Sequence, residues 1–200
     1  MYFFLLSYPI IGAGIKYIDD AFDEKTFNKM LAFIITPLLS ILGVYTMLID
    51  PASATILLAV LCGVFLKGKI DNIAFIAGFI IVLTLMIIGQ VEFMIFPLIF
   101  LGAAAVLDEI GNDLIDAKRD KLKNNLLNKF AIYFFGQRWI MKVSILFLVF
   151  LSILPYYLFF AMILFDYAYL SVDAYSHIKA NVTSASTMKK VVSTVGYIFK

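Results

Sequence analysis

Apolar runs separated by turn residues and short charged stretches leave this chain few ways to fold. They cover residues 2–18, 31–49, 52–66, 73–88, 93–107 and 143–170. A helix needs about 20 apolar residues to cross a bilayer, and inside hydrocarbon only helices or closed barrels satisfy every backbone polar group. The runs therefore predict an all-α fold, a polytopic transmembrane helix bundle of about six spans, the first, third and fifth being short. Turn chemistry marks their ends. Asp50-Pro51 stops the second, Lys67-Gly68-Lys69 parts the third from the fourth, and Gly89-Gln90 parts the fourth from the fifth. Pro155 lies near the middle of the last run and predicts a kink or tilt there, or a division into two shorter spans.

Composition agrees. Hydrophobic residues make up 63% of the chain and charged ones 15%, with a mean hydropathy of +0.98; a soluble domain has an apolar share of about 45–50%. A net charge of +2 gives no basis for nucleic-acid binding, because the Lys and Arg flank apolar runs as membrane-bordering residues do. The single cysteine, Cys62, lies inside an apolar run and reads as an inert thiol. The first run has no charged leader and is expected to be a retained span.

Lysines and arginines set the expected orientation. Lys16, Lys25 and Lys29 surround one loop, Lys67 and Lys69 the next on that side, and Lys118, Arg119, Lys121, Lys123 and Lys129 the third; residues 50–52 and 89–92 carry none. By the positive-inside rule the basic loops face the cytoplasm of a multi-pass cell-membrane protein and the N-terminus lies outside. Residues 1–172 form the expected bundle, and 173–200 a polar tail that ends in an amphipathic segment. The stretch 124–142 mixes aromatic residues with Lys129, Arg138 and Lys142 and reads as an interfacial or re-entrant helix anchored by Trp139, roofing the cytoplasmic face.

Two acidic heptads lie where apolar runs meet those basic loops, within 19–29 and 108–130. They are Asp19-Asp20-Ala21-Phe22-Asp23-Glu24-Lys25 and Asn112-Asp113-Leu114-Ile115-Asp116-Ala117-Lys118. On a helix Asn112, Asp116 and Asp120 form one stripe at i, i+4 and i+8, while Asp19 and Asp20 each share a face with Asp23. Two facing stripes would make an oxygen-rich cage suited to Mg²⁺, which combines one or two carboxylates with substrate phosphates. Lys25, Lys118, Arg119 and Lys121 would supply cationic donors to a diphosphate. Asp108 and Glu109 read as boundary charges, Lys16 as a snorkelling side chain, Asp71 and Asn72 as caps of the fourth helix, and Tyr156, Tyr157, Tyr167 and Tyr169 as packing or interface residues. Gly12, Gly14 and the stretch 102–105 predict close helix contact.

The pattern Asn112-Asp113-x-x-Asp116-x-x-x-Asp120 resembles the aspartate motif of the UbiA-type intramembrane prenyltransferases. In that family two aspartate-rich motifs on cytoplasmic loops, four helices apart, bind Mg²⁺ and the diphosphate of an isoprenyl donor beside an apolar tunnel. The resemblance implies that Asp19, Asp20 and Asp23 stand for the first motif and Asn112, Asp116 and Asp120 for the second. The implied activity is transfer of an isoprenyl group to a lipid-soluble acceptor. It covers two short motifs and their separation; Phe27 stands where the first motif has a further acid, and the chain is shorter than its relatives would be. A non-enzymatic membrane subunit or scaffold and a small-solute or ion transporter are the alternative functions.

Overall fold

The computed structural model describes residues 1–66, 72–118 and 126–198, with side chains except at 66, 116, 118 and 181–198. Eight helices and no strand lie among the described residues: α1 (Tyr2–Phe22), α2 (Lys29–Ile49), α3 (Pro51–Leu66), α4 (Ile73–Gly89), α5 (Ile95–Lys118), α6 (Leu126–Gly136), α7 (Trp139–Phe150) and α8 (Tyr156–Ile198).

Local chemistry explains most of the boundaries. Asn28 is extended and its side chain accepts from the amides of Met30 and Leu31, which starts α2. Asp50 ends α2 in an extended conformation while its carboxylate accepts from the Ala52 amide, so one residue closes α2 and opens α3, with Pro51 at the first helical position. Asn72 caps α4 through the Phe75 amide. The left-handed residue after α4 is Gln90 (φ 51°) rather than Gly89, which stays helical against Leu48.

Contacts along the helices fix their directions. Tyr156 meets Met1, Phe4 stacks on Tyr157, and Lys16 reaches Asp173, so α1 and α8 lie parallel. Tyr8 bonds Ser53 at the start of α3, Thr55 accepts from the Met94 amide before α5, and Gly63 meets Ala105, so α3 and α5 run the same way. The core lies between these four and α7, around Tyr8, Ile56, Leu101, Ile145, Leu158 and Phe165. Outside it, large apolar side chains such as Phe96, Ile87 and Phe150 stand exposed, as in a bundle surrounded by lipid rather than water.

Among the described residues three helical segments are long and apolar enough to cross a membrane: Lys29–Ile49, Ile95–Ile115 and Tyr156–Ala180. The bent pair α6 and α7 adds a fourth if it counts as one broken span. This corrects the expected six. Helices α3 and α4 are apolar but have 16 and 17 residues, and α1 carries Lys16, Asp19 and Asp20 in its last two turns. The final run is two helices, because the chain breaks at 151–155, where Ser152 takes a positive φ of 57° and Pro155 precedes α8. Asp173, beside Lys16, puts the continuation of α8 at the end of the bundle where α1 finishes. The segment 124–142 also divides: α6 and α7 meet at 71°, and Trp139 to Lys142 form the first turn of α7.

A buried ion network as the candidate functional site

The acidic end of α1 is helical. Asp19 and Asp20 belong to its last turn and Asp23 is its C-cap, so these carboxylates sit where the helix dipole is already negative. A cation is needed there, and Lys16 provides it. Its ammonium lies 3.3 Å from Asp19 Oδ2, 2.9 Å from Asp20 Oδ1 and 2.8 Å from Asp173 Oδ1 on α8. Asp20 is 1% exposed. One turn further along α8, His177 is 3.7 Å from the same Asp173 oxygen.

A second set of charges gathers around the break between α6 and α7. Arg138 takes a left-handed conformation (φ 50°) at the break, which leaves the first amides of α7 without intrahelical partners. Asp108 of α5 supplies the acceptors: its two oxygens take the amides of Ile140 at 3.0 Å and Met141 at 2.7 Å. A carboxylate from one helix thus caps another across the bundle, where the dipole favours negative charge. Arg138 pairs with Glu109 at 2.9 Å, and Lys142 pairs with Asp166 of α8 at 2.7 Å while donating to the Gln137 carbonyl. Asp108, Glu109, Lys142 and Asp166 are all buried. Asp166 is ten residues into α8, about 15 Å along its axis, so this set lies deep in the bundle.

Tyr169 joins the two sets. The Lys16 ammonium is 5.5 Å from its ring centre and the Arg138 guanidinium 5.2 Å, both within cation–π range. The connected network holds six carboxylates (Asp19, Asp20, Asp108, Glu109, Asp166, Asp173) and three cations (Lys16, Arg138, Lys142). Its formal charge is negative.

Two cavities lie side by side, and the smaller touches the network. The larger, about 130 Å³, is apolar and lies between α1, α2, α3 and α4, with Ile11, Ile15, Leu39, Leu57, Phe79 and Val82 among its walls. The smaller, about 30 Å³, is mostly apolar, with Ala105, Met141 and Met162 in its wall, and has Asp108, Glu109, Arg138 and Asp166 at its border. Val60, Val64 and Phe165 line both, so an apolar crevice meets a pocket bordered by charged side chains.

The expected site residues are placed unevenly. Asp19 and Asp20 are in the network, Asp23 caps α1, and Lys25 is exposed with a φ of 55°. Asn112 and Asp116 fall four residues apart on α5, as the stripe required, but the side chains of Asp116 and Lys118 and all of Arg119, Asp120 and Lys121 lie outside the described residues. The acidic ends of α1 and α5 do point to one end of the bundle. Among the described residues α1 packs chiefly on α8 and α2, and α5 on α3, α7 and α6. The donor chemistry suits Mg²⁺, yet among the described residues no group of three His, Cys, Asp or Glu side chains could hold a metal ion, and an ammonium lies among the α1 carboxylates.

Asp108, Glu109 and Lys16 were expected as boundary residues, and Arg138 and Lys142 as part of an interfacial helix; the network contains all five. One sequence signal points to the first two. Ile18-Asp19-Asp20-Ala21-Phe22-Asp23 and Leu107-Asp108-Glu109-Ile110-Gly111-Asn112 share the order apolar, acid, acid, apolar, variable, Asp or Asn. In this register the repeat pairs Asp19 and the buried Asp20 of α1 with the buried Asp108 and Glu109 of α5. The close contacts expected at glycines hold at Gly12 and Gly14, whereas Gly102 has open space around it.

Replacing Asp108 by alanine removes both amide partners of α7 and is expected to lower stability by about 1–3 kcal/mol. Faster hydrogen exchange at the Ile140 and Met141 amides than at α2 amides checks the cause. Unchanged exchange there would mean that water replaces the carboxylate at no cost.

Comparison with protein-family models, curated proteins and solved structures finds no match to this chain.

Proposed function

We propose that the chain is a multi-pass cell-membrane protein that acts at its inner face on an amphiphile with a phosphate-bearing head, and that its activity is transfer of an isoprenyl group from an isoprenyl diphosphate to a lipid-soluble acceptor. The observation that carries this reading is the meeting, at Val60, Val64 and Phe165 inside the bundle, of an apolar crevice with a pocket bordered by charged side chains. A hydrocarbon chain suits the crevice by its lining, and a polar head suits the side bordered by Arg138. The network's excess of carboxylates repels a bare diphosphate, so the head group needs accompanying cations, and Mg²⁺ belongs to the reading in that role. In the same reading Asp19, Asp20, Asp23, Asn112, Asp116 and Asp120 are the candidate Mg²⁺ ligands, with Lys25, Lys118, Arg119 and Lys121 as candidate phosphate donors. Basic loops at that end support a cytoplasmic placement.

Thermal unfolding of the detergent-purified protein with geranylgeranyl diphosphate, with and without Mg²⁺, tests this. A ligand at about 100 times its dissociation constant stabilises the folded state by about 2.7 kcal/mol. The expected result is a Mg²⁺-dependent shift that Asp23→Ala and Asp116→Ala both lose. The absence of any shift across several prenyl diphosphates rejects the reading.

One observation favours a second reading, transport of an ion or small solute. Asp108, Lys142 and Asp166 lie deep in the bundle beside a broken helix, and intramembrane ionisable groups and interrupted helices mark many transport sites. Ion-gradient-driven uptake into proteoliposomes, lost in Asp166→Asn, would select it.

A further inference from the structure

The apolar crevice between α1, α2, α3 and α4 has a side opening and a definite size, and the two together select what can enter. We propose that it is a side site for the end of an acyl chain from the surrounding bilayer, admitted between α3 and α4 and seated against Gly43 of α2. The site is the crevice of the reading above, but it needs no prenyl substrate.

The opening follows from how the helices pack. Among the described residues α3 packs on α5 and α2, and α4 chiefly on α2, so no extensive contact joins α3 to α4. The rings of Phe65 and Phe79, 5.2 Å apart and nearly parallel, bridge them at one place. Away from that bridge Leu61 of α3 and Val82 of α4 line the crevice and are partly exposed. Next to them on α4, Ile80 and Leu83 stand exposed. An apolar wall therefore runs without interruption from the lipid-facing surface into the bundle.

Size and chemistry define the occupant. The crevice offers about 130 Å³. An apolar cavity of about 150 Å³ stays dry and holds benzene, so a group of about six carbons fits here. The hydroxyls in the wall already donate to carbonyls, Thr36 to Ala32 at 2.8 Å, and Ser40 to Thr36 at 2.9 Å and Gly78 at 3.3 Å. A water needs about two to four polar partners and finds few.

Gly43 keeps the space open. A Cβ at position 43 would meet nothing within 4 Å, so a side chain there has room to grow into the crevice. Protein interiors hold few voids larger than a water, because an unfilled wall forgoes its dispersion contacts. Bilayer hydrocarbon is as apolar as the crevice, so a chain end enters to restore those contacts rather than to escape water.

Photolabelling of the full chain in phosphatidylcholine vesicles tests this, with a phosphatidylcholine that carries a diazirine at the terminal carbons of one acyl chain. Leu57, a buried lining residue of α3, should take label as the outward-facing Ile80 does. Gly43→Leu fills the crevice and should abolish the label on Leu57 while that on Ile80 stays. Gly43→Ala, a smaller filling, should leave an intermediate label, so the outcome does not hang on the larger side chain being accommodated. The proposal is overturned if Leu57 of the wild type stays unlabelled while Ile80 is labelled, or if a folded Gly43→Leu variant labels as the wild type does. No prenyl diphosphate is present in any arm, so failure here leaves the proposed function to its own test.

Discussion

Lys142→Met should cost about 3–5 kcal/mol, the usual penalty for removing one partner of a buried ion pair. Lys142 is 5% exposed, Asp166 is 7% exposed, and their charged atoms are 2.7 Å apart. Methionine fills much of the lysine's volume, so packing loss is small and the penalty comes from the carboxylate left without its cation. Arg138 is committed to Glu109 and Tyr169, which limits its ability to compensate. The double variant Lys142→Met/Asp166→Leu removes both charges and is expected to recover most of the loss, because an apolar replacement of a buried pair is often neutral or stabilising. Reversible unfolding in mixed micelles, read as a double-mutant cycle, gives the coupling directly. If the single variant unfolds within about 1 kcal/mol of wild type, Asp166 has access to water or a proton, and the pair is not what holds α7 to α8.

That pair also shows where the sequence stopped being informative. Lys142 and Arg138 looked interfacial because charges inside an apolar stretch count against a span when each is read alone. Their partners, Asp166 and Glu109, sit in other helices with no periodic relation to them, and only the packing of α5, α7 and α8 makes the charges compatible with burial. The same holds for Lys16. Its links to Asp19 and Asp20 follow from helical spacing, but Asp173 joins from the far end of the chain. Features set by neighbouring residues were readable: the cap at Asn72, the Asp50-Pro51 hairpin, the all-helical class, and the common end reached by the two acidic segments. The register of their repeat was not. Matching Asp19 to Asn112 follows the trailing lysines, whereas burial follows the apolar residues that flank Asp19-Asp20 and Asp108-Glu109. The span count failed for a related reason. Hydropathy marks a run as apolar wherever it lies, while helix ends are set by caps and breaks, and these leave α3 and α4 short and divide the last run at 151–155.

Gly12→Ala is the other substitution with a large expected effect, because α1 and α8 form the most extensive helix pair in the bundle and touch through their backbones there. A Cβ at position 12 would lie 2.4 Å from the Phe165 carbonyl oxygen, an atom that cannot move without moving α8. Overpacking of this kind costs about 1–3 kcal/mol, and here it also separates the two helices one turn along α1 from Lys16 and about two turns along α8 from Asp173. Gly14→Ala meets only the side chain of Leu39, which has rotamers to yield with, so its effect should be smaller. Gly102→Ala meets nothing within 4 Å on a helical backbone and should stabilise by about 0.5–1 kcal/mol through lost freedom of the unfolded chain. The three variants together separate packing from helix propensity, since all make the same chemical change. If Gly12→Ala also speeds reductive methylation of Lys16, contact between α1 and α8 is what keeps the ammonium among its carboxylates. If it lowers stability and leaves the methylation rate unchanged, the ion pairs of Lys16 hold independently of the helix contact above them.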